Sequence, residues 1–333
     1  MLRTFRFTWL LPRPITRQYA TVSQSPVDLG GPPVPEGAAL DLTPSIPSPL
    51  DRQILKVASC SESPSLSELV HSYLSNSRHI LNSSLLYESR PSALRKVNRG
   101  PSTANSPDVL LIAHCVQDGD EHKITVASGF ALEAPSQREG ESLILSCAHT
   151  LEEADSSNGS NFHSSSTSRR VNSGSFVISS EGNMYPVTDI VSSLPRSDLM
   201  IMTCKNPGVA TLPVSPYPVH AGTPVLGHFR NLDGAWVGDS WSKWVRGTVL
   251  GYRDFAGRET QPGTYDALSH LLFSPLPTAG SSGGPIIDEE TGAVIGVMLG
   301  TRMDNRVEGT RGWGIPSETI FEMFSLPGLE GKK

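Results

Sequence analysis

At 333 residues, with 37% apolar residues and 30 glycines, the chain has room for about two ordinary domains with folded cores. Its net charge of −6 speaks against a general nucleic-acid binder, whose footprint is basic. No run of about 18 apolar residues occurs, so no membrane-spanning helix is expected.

The N-terminus, "MLRTFRFTWLLPRPITRQYATVSQSPVD", carries Arg3, Arg6, Arg13 and Arg17 and no acid before Asp28. Leu2, Phe5, Trp9 and Leu10 fall at helical spacing, so its first turns read as a basic amphipathic helix. Arg-rich, hydroxylated and acid-poor composition is that of a mitochondrial transit peptide. "RQYAT" is similar to a matrix processing site, which makes residues 1–19 the transit peptide and Ala20 the new terminus. With no apolar stop segment downstream, the matrix is expected rather than the intermembrane space.

Residues 20–106 read as a linker and a helical extension. Val27 to Pro49 is rich in Pro, Gly and Ser, the composition of a linker. Leu66, Leu69, Val70, Tyr73 and Leu74 then follow the i, i+3, i+4, i+7, i+8 pattern, with Ser65 and Glu68 placed as a capping box. The apolar cluster from Ile80 to Tyr87 is expected to pack against the main domain.

From Pro107 the texture changes. Short runs such as "DVLLIAHCV", "KITVASGFAL", "SLILSCAH", "SDLMIMTC" and "AVIGVMLG" alternate with turn clusters, without long helices between them. Many short strands predict an all-β barrel or sandwich. "DSSNGSNFHSSSTSRRVNSGS", from Asp155 to Ser175, reads as a surface loop by composition. "PSETIFEMFSL" offers Ser317 as the cap of a short helix with Ile320, Met323 and Phe324 on one face.

Cys60, Cys115, Cys147 and Cys204 form no Cys-x-x-Cys pair, so neither a zinc site nor a secreted disulfide framework is indicated. No metal or cofactor is expected.

"TAGSSGGPIID", Thr278 to Asp288, poses the chemical question. Glycine and serine make turns, which is one account of it. The other is a nucleophile: a hydroxyl needs a base to take its proton and donors to hold the oxyanion that follows. Gly280, Gly283 and Gly284 give Ser282 a backbone whose N–H groups are not screened by a Cβ. The same residues fit the Gly-x-Ser-x-Gly elbow of α/β-hydrolases, but that fold needs its histidine after the serine, and none follows His270. The base must lie upstream. In "LILSCAHTLEEAD", His149 stands where an apolar strand ends, and in "PRSDLMIMTC" Asp198 heads the next apolar strand. A carboxylate there can fix the tautomer of the imidazole.

The order His149, Asp198, Ser282 among short strands resembles the trypsin-like (chymotrypsin-fold) serine peptidases. "SCAHT" is similar to that family's Thr-Ala-Ala-His, "SDLMIM" to its Asp-Leu-Ala-Leu, and "GSSGGP" to its Gly-Asp-Ser-Gly-Gly-Pro. "ASGFAL" and "GWGIPS" resemble the HtrA-type branch, though the residues after Ser282 suffice only to finish the domain, so no PDZ domain is expected. The resemblance implies two six-stranded-type β-barrels, residues 107–206 and 207–316, closed by a C-terminal helix and tail over 317–333. His149 and Asp198 come from the first barrel and Ser282 from the second, and the backbone N–H groups of Gly280 and Ser282 form the oxyanion hole. The implied activity is serine endopeptidase chemistry on protein or peptide substrates, through an acyl-enzyme.

Departures are informative. Secreted trypsins have an Asp before the nucleophile that pairs with a freed terminal amine; here that residue is Ser281, so activation by that ion pair is not available. Met298 and Leu299 stand where many trypsins place a serine that supports the catalytic Asp, which keeps open a second reading, a catalytically weak or inactive protease fold used as a binding module. The residue six before the nucleophile, which floors the primary specificity pocket in the family, is Leu276. With Met298, Leu299 and Gly300 lining that pocket, cleavage after uncharged residues is expected, since an unpaired buried cation there would cost several kcal/mol.

Overall fold

The structure is a computed structural model that describes residues 48–326 apart from 61–62, 87–108, 120, 135–137, 161–171, 206–207, 232–240, 263–268 and 306. The expected transit peptide, most of the expected linker and Tyr87 lie outside the described residues.

Six strands form the first barrel: β1 (Val109–Asp118), β2 (Glu121–Ala131), β3 (Glu141–Cys147), β4 (Asn172–Ile178), β5 (Met184–Leu194) and β6 (Leu199–Lys205). They close in the order β1-β2-β3-β6-β5-β4, every pair antiparallel. Alternation along a strand explains why β1 reads as an unbroken apolar run. Leu111, Ala113 and Cys115 join one buried cluster, while Leu110, Ile112 and Val116 join another on the opposite face. Both faces are covered, so neither needs polar residues.

Part of that cover comes from the N-terminal extension. α1 (Pro49–Cys60) buries Leu50, Ile54 and Ala58, spaced four apart, in the first cluster. α2 (Leu66–Ser75) buries Leu66, Leu69 and Tyr73 in the second. Each such side chain stabilises by about 1.5–3 kcal/mol. The capping box of α2 is present: Glu68 N–H donates to Ser65, and Ser65 N–H donates to Glu68. α1 lies partly beyond the expected linker and was hidden by the Pro-rich composition before it.

The second barrel contains β7 (Pro224–Arg230), β8 (Ser242–Arg253), β9 (Glu259–Thr260), β10 (His270–Ser274), β11 (Pro285–Asp288), β12 (Val294–Asn305) and β13 (Gly309–Pro316). The order is β10-β13-β12-β11-β7-β8, closed by pairing of β10 with β8, with the two-residue β9 added to β8. The all-β double barrel expected from the sequence is what the chain forms.

Two expectations are corrected. The serine-rich stretch from Asp155 is not a loop throughout: α3 (His149–Ser160) takes its first part, and β4 takes its last from Asn172. Buried Leu151 and Ala154 hold the helix to the barrel, so packing decides where propensity does not. Ser317 does not cap α4 (Glu318–Phe321); its hydroxyl donates to the Ser215 carbonyl at 2.7 Å instead. The two ends of the described chain meet here. Leu81 N–H donates to the Met323 carbonyl at 2.9 Å, and Ser325 N–H donates to the Leu81 carbonyl at 3.0 Å.

Candidate active site

β3 and β6 are neighbours with Cys147 opposite Leu199, so the residues that continue them, His149 and Asp198, are brought together by the register. Asp198 follows a short 3-10 turn, Pro195–Ser197, and adopts a left-handed conformation (φ 55°, ψ 37°) that Asp tolerates better than most residues. Its Oδ1 accepts from the backbone N–H of Ala148 at 3.0 Å and of His149 at 2.7 Å. The His149 N–H, at the start of α3, would otherwise lack a partner, and a carboxylate is the favoured acceptor there. Oδ2 sits 2.5 Å from His149 Nδ1. Asp198 is thus held by three N–H groups.

The Nδ1–H bond to Asp198 leaves Nε2 of His149 as the acceptor in the neutral ring. Burial opposes charge on the imidazole, but the Cys147 sulfur and the Asp198 carboxylate outweigh it and raise the pKa above the usual 6.5. Nε2 faces Cys147 Sγ, 3.9 Å away.

The loop from Gly280 to Gly284 comes from the second barrel and is clamped against the first. Ser128 N–H donates to the Ser282 carbonyl at 2.7 Å, and the Ser128 hydroxyl to the Gly280 carbonyl at 3.0 Å. Gly280 and Gly283 have φ of +82° and +81°, the left-handed region. A Cβ on Gly283 would also lie 2.2 Å from the Ser128 carbonyl oxygen, so only glycine lets the two barrels approach here. Among the described residues, the N–H groups of Gly280 and Ser282 donate to no acceptor. Ser281 is fully buried, its hydroxyl accepting from Arg230 N–H at 2.9 Å and bonded to Thr278 Oγ1 at 2.8 Å. A neutral hydroxyl network occupies the place of the trypsin ion pair.

Ser282 donates its hydroxyl to the Leu299 carbonyl at 2.8 Å. The structure therefore pairs His149 with Asp198 but places no hydrogen bond between His149 and Ser282. Of the expected pocket residues, Leu299 and Gly300 line a cleft of about 280 Å³ between the barrels, together with His149 and Asp198. Met298 turns into the core of the second barrel beside Phe229 and Phe273, and Leu276 is half exposed. Arg196, His270, Arg302 and Trp313, which the sequence did not single out, also line the cleft. No cluster of metal-ligating side chains and no disulfide occurs among the described residues.

A His–Asp pair on one antiparallel barrel, beside a Gly-Ser-Ser-Gly-Gly-Pro loop on a second, is the construction of the trypsin-like class. The chain belongs to that family: the model described as "Trypsin-like peptidase domain" matches residues 127–297, just over half of the chain, and the match includes His149, Asp198 and Ser282. No curated protein matches. Among solved structures, the Rv3671c protease of M. tuberculosis in its active form is 18% identical, with 70% of this chain and 85% of that one covered and a TM-score of 0.42. An inactive serine-to-alanine mutant of Rv3671c from M. tuberculosis H37Rv is also 18% identical, with 70% and 93% covered and a TM-score of 0.43. Family membership makes the chain a peptidase of the hydrolase class. No helix among the described residues is long and apolar enough to cross a membrane.

Proposed function

We propose that the chain is a serine endopeptidase that hydrolyses protein or peptide substrates with Ser282 as nucleophile, His149 as base and Asp198 as its partner. The observation that carries this reading is the pairing of His149 Nδ1 with Asp198, next to a serine loop with two uncommitted N–H donors. His149 takes the Ser282 proton as the hydroxyl attacks the scissile carbonyl, then returns it to the leaving amine. Gly280 and Ser282 N–H hold the oxyanion, an interaction typically worth about a hundredfold or more in rate per donor. Leu299 and Gly300 flank the substrate, and as uncharged residues they favour an uncharged residue before the cleaved bond.

Covalent labelling by a fluorophosphonate, lost in Ser282→Ala, tests this directly. The second reading, a binding module, draws on the absence of a Ser282–His149 bond; an unlabelled but folded wild-type chain would favour it. The acid-free, Arg-bearing N-terminus supports a mitochondrial, matrix location with processing at Ala20. A reporter fused to residues 1–30 that stays in the cytosol would sink that placement. The HtrA-type affinity rests on the "ASGFAL" and "GWGIPS" motifs.

A further inference from the structure

Beyond His149 the cleft is bordered by an alternating ladder of cations and rings. Arg196 lies over the Phe255 ring, 3.7 Å from its centroid, and Phe255 meets His270 edge-on at 6.0 Å. His270 stacks on Trp313 at 4.2 Å, and Arg302 also lies over the Trp313 ring, 4.3 Å from its centroid. Arg196 belongs to the first barrel and the other four residues to the second, so the ladder spans the mouth between them.

Stacking positions both guanidinium groups but leaves their N–H donors uncommitted. Neither guanidinium has an ion pair or a hydrogen bond among the described residues. The nearby acids are engaged elsewhere: Asp304 takes Arg253 through two 2.8 Å bonds, Glu308 pairs with Arg311, Asp198 holds His149, and Glu152 accepts from Tyr73 Oη at 2.9 Å. Burial, with help from Arg302, lowers His270 to about 4, so this ring adds no positive charge at neutral pH. The cleft therefore offers two planar, stacked forks that match a carboxylate.

Strand β12 relates these forks to the scissile bond. It pairs with β11 only as far as Val297, whereas its pairing with β13 runs to Asn305. One edge is open from Leu299, whose carbonyl holds the Ser282 hydroxyl, and a peptide can add to it as a strand. From Leu299 to Arg302 is three residues, about 10 Å at the usual rise. A chain extended from Ser282 along that edge brings its third or fourth residue to Arg302.

We propose that the enzyme selects peptides bearing Asp or Glu three or four residues ahead of the cleaved bond, and that Arg302 and Arg196 read this acid. This inference rests on the peptidase reading above, and the test separates the two. Quenched peptides that differ only as Glu, Gln or Lys at that position are offered to the full chain, and fluorophosphonate labelling is read in parallel. We expect kcat/KM to fall in the order Glu, Gln, Lys, with Glu about tenfold or more above Lys, a gap that narrows as salt is added. R302E, checked for its melting transition, should reverse the order, and R196E should weaken or reverse it. A labelled enzyme that cleaves all three peptides equally overturns the acid preference and leaves the peptidase reading standing. A folded wild-type chain that neither labels nor cleaves overturns both. If R302E does not fold, R196E and the conservative R302K decide: an undiminished Glu preference in R196E, or its loss in R302K with the charge retained, removes the assignment to these two side chains as charge readers.

Discussion

The hydroxyl of Ser282 is bonded to the carbonyl of Leu299 at 2.8 Å, while Nε2 of His149 faces the sulfur of Cys147 at 3.9 Å. The proposed nucleophile and the proposed base each have a partner that is not the other. On the proposed reading, a peptide strand laid on the open edge of β12 would compete for the Leu299 carbonyl and release the hydroxyl. Ser282→Ala removes one oxygen and one hydrogen bond, a loss of about 1 kcal/mol, so the fold should persist. Labelling and peptide cleavage should both vanish. Cleavage that survives in purified Ser282→Ala would take this serine out of the mechanism.

The raised pKa of His149 bears on the pH dependence of the proposed reaction. The ring must be neutral to accept the Ser282 proton, and a raised value keeps it protonated to higher pH. The acid limb of kcat/KM should therefore lie on the alkaline side of 6.5. Cys147→Ala removes the sulfur that helps to raise it, so the limb should move toward lower pH and activity at neutral pH should increase. A limb that does not move on this substitution would show that Cys147 has no hold on the base.

Gly283→Ala should damage the site without touching a reacting atom. The added methyl meets the Ser128 carbonyl, the Ser146 hydroxyl at 2.5 Å and the Cys147 backbone nitrogen at 2.8 Å, at a φ that alanine disfavours. The loop must withdraw from the first barrel, and a misplacement of about 1 Å can cost a hundredfold in rate. We expect both a lower melting temperature and a kcat reduced on that scale; unchanged kinetics would mean that the clamp is not needed.

Glu318, at the start of α4, has both carboxylate oxygens buried, with no hydrogen-bond partner from another residue among the described residues. Burial, with the nearby Glu322 adding to it, pushes its pKa up to about 7 from 4.5. The folded state thus holds the proton more tightly than the unfolded chain. Below pH 4.5 the group makes no difference; stability is lost as pH rises from there to about 7, on the order of 3 kcal/mol. Glu318→Gln should flatten that decline in denaturant titrations, and a decline of unchanged depth would place its source elsewhere.

What the sequence discloses follows a physical line. β1 and β3 are legible because burial on both faces leaves continuous apolar runs, and α2 because its stripe and its cap are local. β5 is not, since its residues are mostly half buried and Pro186 interrupts the run. α1 has a readable signal in Leu50, Ile54 and Ala58, masked by the linker composition before it. His149 and Asp198 stand out because each ends or begins a strand, and the β3–β6 register then joins them. The contacts of Cys147, Leu299 and Ser128 depend on how two barrels meet, which no local pattern encodes. No local pattern singles out Arg196 and Arg302; it is the fold that places them on one cleft.

The bond between Ser325 and the Leu81 carbonyl joins residues 244 positions apart. A polypeptide emerging N-terminus first exposes its docking helices long before the segment that latches them exists. Closing so wide a loop adds little entropy beyond that of a moderate one, because the cost grows only with the logarithm of length. The delay is one of timing: residues 323–325 are synthesised well after Leu81, and folding dominated by such distant pairings is slow. Until they arrive, Leu81 has neither of its backbone partners in this segment, and a chain truncated before Met323 should lose the latch.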